Sequence, residues 1–170
     1  MEFCASRHAK SQGFSIVELV VVISIIAVLL SVSTIAFNSW QTKHAMESQI
    51  RAMAADFSGI RMRAITTKQR HTITLNAKSY VFGFYSSEEN ASTPLPGGFH
   101  SVVYKLQKSD GSDYSNDVYE IDQRGTNVSI TATIYLENAK SSSGLNCLKL
   151  HTVRINPGNR ASSGGTCDDR

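Results

Sequence analysis

The residue whose placement most demands a chemical explanation is Glu18. It is the one charged side chain in the run Phe14–Phe37, FSIVELVVVISIIAVLLSVSTIAF, 24 residues without proline or glycine. As a helix rising about 1.5 Å per residue, the run would reach roughly 36 Å, enough to cross a hydrocarbon core of roughly 30 Å. A carboxylate in hydrocarbon costs several kcal/mol unless it is protonated, paired or near the interface. Gly13 stands immediately before the run, behind a polar, net basic leader, MEFCASRHAKSQ. Cleavage after Gly13 would free an α-amine on Phe14, one helical turn from Glu18. Amine and carboxylate could then neutralise each other within one chain or between neighbouring chains.

The other reactive residue types form no catalytic pattern. The histidines, at positions 8, 44, 71, 100 and 151, have no metal-ligand spacing, and there is no GxSxG elbow, phosphate loop or HExxH. The reading is therefore of no enzyme, no cofactor and no metal. His100, after Gly97-Gly98, reads as a loop residue. Asp110, Asp113 and Asp117 could gather around Ca²⁺ but fit no EF-hand. Of the three cysteines, Cys4 lies in the leader. Cys147 and Cys167 lie in the distal region, where an oxidising compartment would permit a bridge closing a 21-residue loop, a constraint worth roughly 3 kcal/mol. The alternative is two unpaired thiols.

The elements that must carry these groups follow from charge and periodicity. Arg7, His8 and Lys10 precede the apolar run against Glu2 alone, and the first charge beyond it is Lys43. The positive-inside bias keeps the leader cytoplasmic and sends the distal part across the membrane. Phe37, Asn38, Ser39 and Trp40 form an interfacial margin. Met46, Ile50, Met53, Phe57, Ile60 and Ala64 then recur at helical spacing, one apolar stripe of an amphipathic helix running to about Thr67. Gly59 offers a place for close contact with a sheet. Arg61, Arg63, Lys68, Arg70 and His71 crowd the end of this helix. Three uses stand open for them: a cap on the helix dipole, a subunit contact, or a nucleic-acid contact without aromatic interleaving.

From His71 the period becomes that of strands. Ile73 and Leu75 alternate with polar residues, Asn76 to Ser79 turns, and Tyr80, Phe82 and Phe84 share a face of the next strand. Residues 86–98 read as a surface loop, 101–107 as a strand, and 108–116 as a polar turn. Val118 to Ile121 leads into the turn Asp122-Gln123-Arg124-Gly125, with Gly125 supplying unusual backbone angles. Val128 to Leu136 keeps strict two-residue alternation, 145–155 gives a final strand, and the tail has low propensity for order. The 170 residues, with net charge +3, bound one globular domain beyond leader and span, and the mild basicity neither demands nor excludes nucleic acid.

The segment Gly13-Phe14-Ser15-Ile16-Val17-Glu18-Leu19, with the apolar helix behind it, closely resembles the class III signal of type IV pilins and type II secretion pseudopilins. The resemblance implies cleavage after Gly13 by a prepilin peptidase, N-methylation of Phe14, and incorporation into a filament with Glu18 setting the register. It implies an α+β, pilin-like fold, a long N-terminal helix packed on an antiparallel sheet of six or seven strands, in one sheet or two. The layout is leader 1–13, membrane and filament-core helix 14–37, amphipathic half 38–68 and β-rich periplasmic head 69–170. The distal part is similar to the GspH/FimT branch, with its basic helix end (Arg61 to Arg70), EIDQRG-like hairpin and a final turn, Val153 to Arg160. Arg61, Arg63, Lys68, Arg70, Arg154 and Arg160 are candidates for a subunit or nucleic-acid contact. Two departures stand out. There is no mid-span proline, and the C-terminal turn reads GNRAS rather than the glycine-arginine-x-arginine type of DNA-binding relatives.

The expectation is a minor pilin-like subunit near the tip of a type IV pilus, priming or supporting assembly. The alternatives are the H-type pseudopilin of a type II secretion system, or a pilus-associated DNA-binding subunit. Implied partners are the prepilin peptidase, other minor pilins or pseudopilins, the inner-membrane assembly platform and the lipid bilayer, with DNA the weakest. The implied location is the bacterial inner membrane, single-pass, with the head in the periplasm.

Overall fold

A computed structural model describes residues 13–86, 93–129, 131–137, 144–160 and 165–169, except for the side chains of 32–36. The leader 1–12 with Cys4, the position Ile130, and much of the expected loops around 87–92 and 138–143 lie outside the described residues. One helix, α1 (Ile16–Thr67), is followed by nine strands among the described residues. The chain divides into two units, Met1–Trp40 and Gln41–Arg170, taken separately below.

In the first unit α1 opens behind Ser15, whose carbonyl accepts from the Leu19 N–H at 3.1 Å. Its described apolar side chains are exposed, Phe14 and Ile16 each at 81%. Among the described residues no helix is long and apolar enough to cross a membrane. The side chains of 32–36, inside the apolar run of the sequence, are not among them.

In the second unit the expected stripe is the core. Met46, Ile50, Met53, Phe57, Ile60 and Ala64 are all buried. Spacings of three and four keep them on one face, and that face is covered by two sheets rather than one. One sheet has the order β3-β2-β1-β5, from β1 (His71–Asn76), β2 (Ser79–Phe84), β3 (Leu95–Ser101) and β5 (Asp117–Ile121). The other has the order β4-β6-β7-β8-β9, from β4 (Leu106–Gln107), β6 (Ala132–Leu136), β7 (Cys147–Leu150), β8 (Ile155–Arg160) and β9 (Cys167–Asp169). Every pairing is antiparallel. Phe57 presents its face or edge to Tyr80 at 5.3 Å and Phe82 at 6.1 Å, both near perpendicular. Such pairs add about 0.5–1.5 kcal/mol each beyond burial. The helix stops at Thr67 because Lys68 turns into the left-handed region at φ 55°, while the Thr66 and Thr67 hydroxyls fold back on the Arg63 carbonyl at 3.0 and 2.8 Å.

Several expectations are corrected. Leu95–Ser101 is a strand, not part of a loop, and it takes Pro96 because an edge strand needs no second partner for that missing N–H. Residues 102–105 are not a strand. Their backbone is bound instead by the Gln49 side chain, which accepts from the N–H of Val103 (3.1 Å) and Tyr104 (2.9 Å) and donates to Tyr104 O (2.9 Å). The alternation from Val128 does not make one strand. Val128 N–H bonds to Glu120 O beside the first sheet (3.0 Å), whereas Ala132–Leu136 joins the second. Phe84 keeps the face of Tyr80 and Phe82 on β2 but is only half-buried, and Tyr85 just beyond the strand is buried. Gly59 makes no close approach to a sheet, since a Cβ there would meet nothing within 4 Å. In the C-terminal stretch Ile155–Arg160 and Cys167–Asp169 are strands, β8 and β9, and the disulfide Cys147–Cys167, with Cα atoms 6.1 Å apart, ties β9 to β7.

Candidate functional site

At the N-terminus, Gly13, Phe14 and Ser15 precede the helix and Glu18 lies in its first turn, exposed. The amide dipoles of a helix converge on that turn, so a carboxylate there also supports the helix itself by about 0.3–1 kcal/mol. Ser15 and Glu18 stand at the spacing of a capping box, a second local reason for both residue types that the sequence reading missed. Around them Val17, Leu19 to Ile23 and Ile25 to Leu30 present a continuous apolar surface. An exposed apolar surface of this extent marks an interaction site. Nothing else in the unit covers it among the described residues.

The six basic candidates separate into two groups. Arg61 is spent inside the head: its Nε donates to Gly125 O at 2.6 Å and its Nη1 to Val153 O. Gly125 sits at φ +77°, and a Cβ there would lie 2.7 Å from Ile65 Cδ1 and 3.1 Å from Arg61 Cγ, so the turn is seated hard on the helix. Arg70 pairs with Glu120 at 3.6 Å and covers the Tyr85 ring at 5.3 Å, while the Tyr85 hydroxyl donates to the same carboxylate at 3.0 Å. Arg160 stacks its guanidinium 4.2 Å from the Tyr135 centroid beside the disulfide. Buried Asn146 binds its backbone N–H at 2.7 Å and C=O at 3.2 Å. Arg63, Lys68 and Arg154 are exposed and make no ion pair among the described residues. Arg124, which the sequence reading placed only in a turn, belongs with these three.

That turn is built by Asp122, whose Oδ1 accepts from the N–H of Arg124 (2.9 Å) and Thr126 (2.7 Å). Burial would push the Asp122 carboxyl upward, but these bonds outweigh it and hold it below the usual carboxylate range. Asp110, Asp113 and Asp117 do not converge on a cation. Asp110 binds Ser112 (2.7 Å), Asp113 faces Lys105 (3.6 Å), and Asp117 is held by Lys108 (2.9 Å). Burial also opposes ionisation of Asp117, yet Lys108 and the Ser115 N–H keep its carboxyl below the usual range. Among the described residues no cluster of three metal-ligating side chains occurs.

His100 is on β3 rather than a loop. Its ring stacks on Tyr80 at 5.1 Å, and its Nδ1 lies 3.5 Å from Asp56 Oδ2, which accepts from the Tyr80 hydroxyl at 2.5 Å. Burial first, and Asp56 second, push the Tyr80 phenol upward, so it keeps its proton and its bond to the helix. The cluster fastens an edge strand to α1.

Residues 8–34 match the family model described as the prokaryotic N-terminal methylation motif. The structure is similar to the crystal structure of the type IV minor pilin FimU from Pseudomonas aeruginosa, with a TM-score of 0.50 and 15% sequence identity, over 69% of this chain and 91% of that one. No curated protein matches.

Proposed function

We propose that this type IV pilin-like chain is a minor pilin-like structural subunit, processed after Gly13 and incorporated near the tip of a type IV pilus, where it primes or supports assembly. The observation that carries the reading is the join of two features. The methylation motif spans Gly13, Phe14 and Glu18, and the first part of the helix it opens, from Ile16 to Leu30, leaves its apolar side chains uncovered. Burial of such a surface against lipid, and then against neighbouring helices, supplies the bulk attraction. The freed amine of one chain and the Glu18 carboxylate of another fix the stagger, because an unpaired charge in that setting is costly. The role of the head in this reading is to present surface.

The test is in-cell crosslinking from the head, with identification of the captured partners. Capture of tip pilins, with surface pili lost on deletion, supports the reading. Capture of secretion pseudopilins, with exported enzymes stranded in the periplasm, moves the protein to a type II secretion system. Glu18→Ala should impair assembly while the head keeps its melting temperature. Assembly of that variant at wild-type level would remove the role given to Glu18, and a shortened protein from a bulky replacement of Gly13 would remove the cleavage site.

A further inference from the structure

The head pairs much of its charge internally. Arg51 faces Glu47 at 2.7 Å, Lys108 faces Asp117 at 2.9 Å and Lys149 faces Asp169 at 3.0 Å. Against that background Arg63, Lys68, Arg124 and Arg154 are exposed and form no ion pair among the described residues. Two of them, Arg124 and Arg154, are carried on segments that one guanidinium brings together. Arg61 binds Gly125 O and Val153 O together, which ties the last turns of α1, the turn after β5 and the loop between β7 and β8 to one point. Arg124 immediately precedes Gly125 and Arg154 immediately follows Val153, whereas Arg63, two residues beyond Arg61, points roughly 200° away round the helix. Two exposed apolar side chains adjoin these two cations: Val128 at 65% exposure lines the groove that holds Arg124, and Val153 at 53% precedes Arg154.

We propose that this end of the head docks an acidic, partly apolar face of a neighbouring subunit in the filament. The proposal rests on the filament reading above and names one contact within it. Exposed valines beside cations match the apolar centre and polar rim of a protein interface. They have no work to do against a phosphate backbone. The groove beside Arg124 also contains Glu120 and Asp122, which would repel phosphate but fit a rim of mixed sign. No exposed aromatic ring lies beside these cations among the described residues to stack on bases. Arg124 and Arg154 are carried on segments already fixed by Arg61, so little backbone freedom is lost on docking.

The experiment uses the full-length chain in the producing cell, with a photo-crosslinking residue in place of Val153, and maps the adduct by mass spectrometry. The expected adduct lies on a carboxylate-bearing peptide of another subunit with the same N-terminal motif. The charge-reversed pair Arg124→Glu/Arg154→Glu should lower its yield at least about tenfold with the melting temperature unchanged. Changing the captured carboxylates to lysine should restore it. An adduct yield indifferent to charge reversal overturns the proposal. So does salt-sensitive binding of a 20-base-pair duplex DNA by the purified chain that the double variant loses, which would make this a nucleic-acid surface. Processing at Gly13 and filament content are read in the same cells. If both are normal and no subunit is captured, the docking proposal fails alone; if the chain is neither processed nor assembled, the filament reading falls with it.

Discussion

Replacing Arg61 by methionine should destabilise the head substantially, because one guanidinium holds two loops. The substitution keeps most of the apolar stem that packs under Gly125 and removes the two hydrogen bonds, to Gly125 O at 2.6 Å and to Val153 O. A hydrogen bond from a charged donor contributes about 1.5–3 kcal/mol. The site is half-buried, so each freed carbonyl regains part of that from water and the lower end applies. The expected loss is about 2–4 kcal/mol, a large share of a stability of about 5–15 kcal/mol. For a head of this size it corresponds to a fall of roughly 10 °C in melting temperature. Arg61→Lys keeps the charge and one donor within reach of one carbonyl, and should lose about half as much. The assay is thermal unfolding of the intact, oxidised chain in detergent, followed in the near ultraviolet, where all six tyrosines report from the head and Trp40 from the N-terminal helix adds a separate signal. A methionine variant within 1 °C of the parent, on the order of a few tenths of a kcal/mol, would refute the clamp and with it the fixed placement of Arg124 and Arg154.

Three further outcomes are expected. Gly125→Ala should cost about 2–4 kcal/mol, since its φ of +77° and the Ile65 contact at 2.7 Å both oppose a methyl group, whereas Gly59→Ala should gain about 1 kcal/mol; equal effects in chemical denaturation would contradict both placements. Loss of the disulfide through Cys147→Ser with Cys167→Ser should cost about 3 kcal/mol, measured against the parent with and without reductant; parity would show that β9 holds without it. The carboxyls of Asp117, Asp122 and Asp169 are held below their ordinary values, so their stabilisation is complete above the unfolded value of about 4 and is lost as pH falls through the lower folded values. Melting temperature should be level from pH 7 to about 5 and drop below about pH 4, less steeply in Asp122→Asn, and a profile level down to pH 2 would exclude the linkage.

What could be read from the sequence was what the chain states locally. The stripe from Met46 to Ala64 declares a buried helical face by its own spacing, and Asp122-Gly125 declares a turn by its own backbone needs. The disulfide needed only two cysteines and an oxidising side. Strands were harder, because a strand is completed by a partner far along the chain. Leu95–Ser101 carries two prolines' worth of loop signal around Pro94 and Pro96, yet pairing with β2 on one side is enough to extend it. Val102 to Lys105 carries strong strand residues, yet Gln49 on the helix supplies the hydrogen bonds a neighbouring strand would have supplied. The basic cluster looked uniform in sequence. Only the fold separates Arg61, Arg70 and Arg160, which hold the head together, from Arg63, Lys68 and Arg154, which face outward.

One face of α1 serves both sheets. Ile73, Leu75, Tyr80 and Phe82 from one sheet and Leu106, Ile134, Leu136, Leu148 and Leu150 from the other enter a single cluster with Met46 to Ala64. Neither sheet therefore owns a core that could survive alone, and the head should melt as one cooperative unit instead of shedding a sheet at a time. Folding must also wait for contacts between residues far apart in the chain, which places it among the slower topologies, in the range of milliseconds to seconds. During that interval the helix is the template on which both sheets condense. A soluble fragment beginning at His71 would carry the strands without the surface that organises them, and one beginning at Gln41 would carry both.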